Sequence, residues 1–445
     1  MKNKPYAWVP SLYLAEALPY VAVMVIATTM YKRLGLSNTD LALYTSWLYL
    51  PWVIKPLWSP FIAAIKTERW WVLLMQLLIG AGFAGIAFTL PTSFWLQGSL
   101  AFFWILAFAS ATHDIAADGL YILGLDTHDQ SLYVGIRSTF YRIGNIFGQG
   151  LLVMFAGWLE RSQTIPMAWS ISFFVLAGLF LALWLWHSFA LPRPEKIKDE
   201  RLEIRDERLE TRDDQAQPSL ISNLSSLLSE FWLALKTFFT KPHIVTALLF
   251  MLLFRFPEGQ LVKIANPFLL DTTEAGGLAL STEAVGFVYG TVGIIGLTIG
   301  GLLGGWCVSR HGLKRWLWPM VLSISLPDIV YVYLASSVAP SLFVVNLCVF
   351  IEQFGYGFGF TAYMLYLVYF SQGERSTAVF SICTAMQALG MMLPGMIAGW
   401  MADHLGYLNF FWWVMGCCLV TFVVSAFIKI DPAYGKKEQA SEAQE

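Results

Sequence analysis

LGLSNTD at positions 34–40 and LALSTE at 278–283 are one signal written twice, about 244 residues apart. Each sets a serine a few residues ahead of an acid and then opens an apolar run. That is how a helix start is written: serine satisfies a free N–H group, and the acid complements the positive end of the helix. Working outward from the two serines, other landmarks recur at nearly the same offset. Glu16 precedes Glu258 by about 242 residues, ERWW (68–71) answers KRWL (314–317), and AGW closes a run at 156–158 and again at 398–400. The chain reads as two halves built to one plan.

Composition decides what kind of halves these are. The 445 residues are 57% hydrophobic and 13% charged, against about a quarter charged in soluble proteins. Sixteen charged residues crowd into Pro192–Asp214, so the remainder is too sparse to coat a globule in water. A net charge of −2 argues against a nucleic-acid partner. Cys307, Cys348, Cys383, Cys417 and Cys418 lie in apolar runs and read as small hydrophobes. The opening MKNKPYAWVP leads into a spanning segment and carries no signal-peptide cleavage pattern. A spanning helix needs roughly 20 mostly apolar residues. Candidates fall near 9–31, 41–62, 70–90, 95–124, 131–158 and 167–191, then 243–270, 281–307, 315–336, 340–370, 376–400 and 408–430. The expected fold is an all-α polytopic membrane protein of twelve transmembrane helices in two six-helix pseudo-repeats.

The expected organisation is a six-helix bundle over 1–191, a charged linker over 192–219, an interfacial amphipathic helix over 220–240, a second bundle over 241–430 and a tail over 431–445. With both termini in the cytoplasm, the inner segments hold 20 Lys/Arg and the outer loops three, the asymmetry that sets orientation. In the linker, ERLEIRD (200–206) is followed by ERLETRD (207–213). Most of its charged pairs four apart share a sign, which disfavours an isolated helix, so a solvated linker is expected rather than a coiled coil. Leu220, Leu224, Leu227, Leu228, Phe231, Leu235 and Phe238 then share one helical face.

Charges inside spans are costly and mark cavities or partners. In the fourth span, SATHDIAADGLY (110–121), Ser110, Asp114, Asp118 and Tyr121 lie within about 80° of one another. The fifth span carries Ser138, Arg142, Asn145 and Gln149 on one stripe. Asp114 and Arg142 stand at matched depth, as do Asp118 and Arg137, so two acid–base rungs are expected. They serve either as coupling groups that exchange partners with a proton or as permanent ties within the first half. His113 joins a proton relay or is a packed histidine. Glu16 precedes Pro19, where the first helix can kink around a cavity. In the seventh span Arg255 and Glu258 are three apart, with Lys263 and Asn266 beyond; the plainer reading is an intrahelical pair that eases insertion. In the tenth, EQFGYGFGFTAYMLYLVY (352–369), Glu352, Tyr356, Tyr363 and Tyr366 share a face over glycines. Such a stripe suits sugar recognition or close helix packing.

Walker A, zinc-ligand and H-E-x-x-H patterns and G-x-S-x-G are absent from the sequence. Gly355, Gly357 and Gly359 lie within a span and form no phosphate loop. The expectation is a transporter rather than an enzyme, with no metal or cofactor and with ion coupling or facilitated flow in place of ATP.

Parallel six-helix repeats are the plan of the major facilitator superfamily, in which solute passes by alternating access near mid-membrane. GGWCVSRHGLKR (304–315) resembles that superfamily's Gly-x-x-x-Asp-Arg-x-Gly-Arg-Arg/Lys loop, with Ser309 where Asp is usual. Leu18-Pro19, KPLWSP (55–60), SATHDIAADGL, YRIG (141–144), the Arg255/Glu258 spacing and IEQFGYGFGFTAYM resemble the AmpG-type muropeptide permeases, a branch that also includes acetyl-CoA transporters. The resemblance places Asp114 and Asp118 on that family's acids, Arg142 on its arginine and Glu352 on its tenth-helix acid. His113 replaces a usual Gln, and the basic stretch after the second span is reduced to AAIKTERW. The resemblance implies proton-coupled import of an anhydro-muropeptide-like or other amino-sugar disaccharide, through a monomer in the bacterial inner membrane. The proton-coupling candidates are Asp114, Asp118, His113, Glu16 and Glu258, with Arg142, Arg137 and Arg255 as charge partners. The solute candidates are Asn145, Gln149, Glu352, Tyr356, Tyr363 and Tyr366. Alternatives are another oligosaccharide, an anionic solute such as an acyl-CoA, and a receptor on a transporter scaffold.

Overall fold

The two serines of the repeated signal do the same work in the computed structural model. Ser37 accepts from the Asp40 backbone N–H and Ser281 from that of Ala284, each capping the helix that follows. The structure describes residues 4–193, 220–337, 340–373 and 375–435. Among these, the chain forms α1 (Pro5–Arg33), α2 (38–65), α3 (Glu68–Thr89), α4 (Trp95–Gly124), α5 (127–159) and α6 (Ile165–Ala190). It continues with α7 (Leu220–Thr240), α8 (Ile244–Leu270), α9 (Thr282–His311), α10 (Leu313–Ser336), α11 (Leu342–Ser371), α12 (Ser376–Leu405) and α13 (Tyr407–Phe427). No strand occurs among the described residues.

Every helix but α7 falls on an expected span, and ten are long and apolar enough to cross a membrane. The two that fall short have visible reasons. α2 is broken just before Pro51 into Asn38–Trp47 and Leu50–Ile65. α5 spends its middle turns on Arg137, Arg142, Asn145 and Gln149. The amphipathic helix is present as α7, with Phe238 buried edge-on against Phe370 of α11 at 5.7 Å, and Trp232 exposed. The ERLEIRD/ERLETRD stretch and the last ten residues lie outside the described residues.

Several helices are interrupted partway. Wide π turns occupy Ala22–Ile26 just after Pro19, Ile146–Leu152 in α5 and Val288–Gly293 in α9. α8 breaks at Arg255 ahead of Pro257, and α10 tightens into a 3-10 turn over Leu326–Asp328 around Pro327. Proline withdraws a backbone donor and clashes with the preceding turn. In lipid such backbone is tolerated only where protein buries it or it lines a cavity.

The described residues fall into two compact units. The first draws on Met1–Ile26, Ile54–Gly148 and Leu159–Ala234. Its core gathers Trp8, Tyr13, Val72, Leu120 and Leu191. The second draws on Ala27–Val53, Gln149–Trp158 and Leu235–Glu445, with a core around Phe268, Tyr331, Val349 and Phe411. Close approach here depends on glycine: Gly150 and Gly290 meet backbone to backbone, leaving no room for a Cβ. α9 and α11 touch the same way, where a Cβ on Gly296 would come within 2.7 Å of the Phe350 carbonyl.

Candidate functional site

In the first unit, three acids and two bases from four helices converge. Lys55 of α2 pairs with Asp114 of α4. Arg137 of α5 pairs with Asp118 at 2.9 Å, and Tyr13 of α1 donates to the same Asp118 oxygen at 3.0 Å. The Arg137 guanidinium lies over the Tyr13 and Tyr121 rings, 4.4 and 5.0 Å from their centroids. Glu16 lies within electrostatic reach of Asp114, Asp118 and Arg137, and one of its carboxylate oxygens is buried without a hydrogen-bond partner. Charge does not close: Glu16, Asp114 and Asp118 face Lys55 and Arg137. Counted as ionised groups, the acids outnumber the bases by one.

The expected Asp118–Arg137 rung is present, but the Asp114–Arg142 rung is not. Lys55 takes Asp114, and Arg142 makes no ion pair among the described residues. Matched depth fixes height along two helices and leaves their rotation open, so a third helix supplied the base. Lys55 was legible as an in-span charge within KPLWSP, but no spacing tied it to Asp114. His113 turns to a different set of partners. Its ring contacts Gln76 at 3.1 Å, Gln76 reaches His187 at 2.8 Å, and His187 meets Ser11 at 2.9 Å. This buried chain ties α1, α3, α4 and α6 together. Asn145 keeps a shielded, unpartnered Oδ1, and Gln149 lies in the α5 π turn.

In the second unit the break in α8 presents Arg255. It donates to the Tyr356 hydroxyl at 2.5 Å and lies 4.8 Å over the Phe360 ring. It forms no ion pair with Glu258 among the described residues, and in place of the intrahelical pair that the spacing allows it makes an arginine–aromatic contact. Two turns on, Lys263 is buried, donating to Thr45 at 2.9 Å with its ammonium 4.9 Å from the Tyr49 ring centroid. It too lacks an acidic partner among the described residues. Each of these buried bases is thus flanked by an aromatic ring in place of a carboxylate.

The tenth-span stripe divides. Tyr356 keeps a partly open ring beside Arg255. Tyr363 is fully buried, donates to the Met251 carbonyl at 2.6 Å and stacks on Phe254 at 5.2 Å. Tyr366 meets Phe250 edge-on at 4.7 Å. Tyr363 and Tyr366 are therefore packing residues here, and Gly355, Gly357 and Gly359 before them lie against the backbone of neighbouring helices. Glu352 turns to Glu258 and to Asp328 of α10; one oxygen from each lies within 4.8 Å of the others.

This architecture has relatives. The family model for the Major Facilitator Superfamily matches residues 11–368 and 261–445. A putative transporter AmpG 4 of Rickettsia conorii is 24% identical over 404 residues, spanning 87% of this chain and 88% of that protein. The anhydromuropeptide permease of Escherichia coli is 23% identical over 391 residues, spanning 86% of this chain and 72% of its own. Among solved structures, the nucleoside transporter NupG superimposes with a TM-score of 0.66 at 17% identity, covering 95% of this chain and 99% of NupG. A D-xylose-proton symporter gives 0.65 at 14% identity, covering 97% and 99%. At those identities the solved structures share the fold alone. With the family model spanning nearly the whole length, this multi-pass membrane transporter belongs to the Major Facilitator Superfamily.

Proposed function

We propose that this protein is a proton-coupled symporter that imports an anionic, amino-sugar-containing disaccharide of the anhydro-muropeptide class across the bacterial inner membrane. Both termini are cytoplasmic, the chain works as a monomer, and the solute moves by alternating access. The observation that carries the coupling is the unbalanced cluster in the first unit: three acids against two bases admit one exchangeable proton. Glu16 and Asp114 are the groups best placed to share it. Two further observations support the solute class. Relatives that span more than four-fifths of the chain carry the names AmpG and anhydromuropeptide permease. Arg255 and Lys263 are buried without acidic partners among the described residues and are flanked by Tyr356, Phe360 and Tyr49. That setting favours a carboxylate next to a sugar ring over a neutral sugar.

The decisive experiment is uptake into proteoliposomes of a labelled panel holding an anhydro-muropeptide, a neutral disaccharide and an acyl-CoA, with and without an inward proton gradient. Gradient-driven accumulation of the anhydro-muropeptide, abolished by a protonophore, is expected. Accumulation indifferent to the gradient refutes the coupling. Preference for the neutral disaccharide or the acyl-CoA refutes the solute class.

A further inference from the structure

Glu258 of α8, Asp328 of α10 and Glu352 of α11 are 7%, 3% and 3% exposed, and each places one carboxylate oxygen within 4.8 Å of the other two. Among the described residues none of the three makes an ion pair. The base nearest in charge coupling is Arg255, engaged with Tyr356. Three negative charges at this spacing in a medium of low polarity repel strongly, and a single arginine at longer range leaves most of that repulsion in place. The cluster is also unsatisfied as a hydrogen-bonded unit. Glu352 is held by donors, from Tyr331 at 3.2 Å and Gln353 at 3.0 and 3.1 Å, and Tyr289 in turn contacts Tyr331. Glu258, by contrast, keeps a buried oxygen with no partner. Its carboxylate lies against the other two acids, so a buried acceptor is held in the cluster without a donor of its own.

We infer that Glu258, Asp328 and Glu352 form a binding site for a hard cation, of the Na⁺ or Ca²⁺ kind, within the second unit. The donor chemistry selects that class. All three ligands are carboxylate oxygens, which suit group 1 and group 2 ions, and the three-residue set contains neither the thiolate nor the imidazole that softer metals prefer. The supporting backbone fits an ion site in a transporter. Asp328 lies in the 3-10 turn that interrupts α10, and Glu258 follows the break in α8 by three residues. Interrupted helices of this kind free carbonyl groups and place side chains at one depth. Ser325, at the start of the same turn, is 1% exposed with an unpartnered hydroxyl. Tyr331 and Gln353 act as positioning residues, since both donate to the Glu352 carboxylate. The site is separate from the acid–base cluster of the first unit and makes no demand on the identity of the solute.

The test uses the purified full-length protein in lipid nanodiscs, at constant ionic strength with choline as the replacement ion. Equilibrium binding of radiolabelled Na⁺ and, in separate samples, Ca²⁺ is measured together with thermal unfolding. Saturable binding of one of these ions at one per chain, with a matching rise in unfolding temperature, is expected. Asp328→Asn should weaken that binding at least about tenfold, the loss that follows even removal of an outer partner of a metal ligand. Tyr331→Phe should weaken it less. Absence of saturable binding by the wild-type protein overturns the site, and leaves the three acids held neutral by protons. Saturable binding unchanged in Asp328→Asn and Glu352→Gln overturns it as well, by placing the ion elsewhere. The wild-type measurement decides the matter even where a variant fails to fold.

Discussion

Asp114→Asn is the perturbation that most directly tests the coupling cluster. In the wild-type protein, Glu16, Asp114 and Asp118 face Lys55 and Arg137, one acid in excess. The variant leaves two acids against two bases, a balanced set with no need of a proton. One pH unit corresponds to 1.36 kcal/mol per proton, so a one-proton symporter can concentrate its solute by about tenfold per unit of gradient. Wild-type proteoliposomes should approach that ceiling, and Asp114→Asn should bring the ratio to about one while still exchanging labelled for unlabelled solute. The substitution also strands Lys55. Each partner of this pair is 23% exposed, between a surface pair worth up to ~1 kcal/mol and a buried one whose breakage costs about 3–5 kcal/mol. A loss of about 2–3 kcal/mol in stability is expected, and Lys55→Met/Asp114→Asn should restore much of it by removing the lone charge. The assay is gradient-driven uptake and counterflow exchange in parallel, with unfolding temperature as the stability control. Tenfold accumulation by Asp114→Asn would refute the assignment of Asp114 as a coupling acid.

Lys263→Met should raise KM for an anionic solute by about ten- to 150-fold, the equivalent of a charged hydrogen bond of ~1.5–3 kcal/mol, with protein abundance unchanged; uptake kinetics check it. Tyr356→Ala should lower uptake with the protein intact, whereas Tyr363→Ala should lower abundance and unfolding temperature, because it empties a site packed against Phe254 and costs about 3–5 kcal/mol. Gly290→Ala should destabilise by about 1–3 kcal/mol, since its new methyl group meets the Gly150 backbone. Gly305→Ala, with nothing within 4 Å of the added carbon, is the matched control, and thermal unfolding separates the two.

Some features of the site were legible before the fold was known. Asp118 and Arg137 were found from periodicity and depth, because one helix turn fixes which residues share a face. Asp114 was found the same way, but its partner was not: Lys55 reaches it from α2, and the rotation of α5 leaves Arg142 elsewhere. His113 reads from the sequence as either a relay or a packed histidine; its neighbours Gln76 and His187 come from α3 and α6 and tie it into helix packing. The tyrosine stripe of α11 faced one way, as its spacing required, yet that face meets α8 and only Tyr356 stands clear of the core.

What the sequence determined by itself was everything set by neighbours along the chain. Spans follow from local apolarity, helix starts from Ser37 and Ser281, a break from Pro19, and the two-fold plan from the offset at which the repeated landmarks recur. What only the tertiary structure decided was which buried charge meets which. Glu258, Asp328 and Glu352 lie on three different helices, and nothing in their spacing marks them as neighbours. Their meeting depends on the rotation and tilt of packed helices, which lipid-facing apolar surfaces specify weakly and glycine contacts such as Gly296 on Phe350 specify closely.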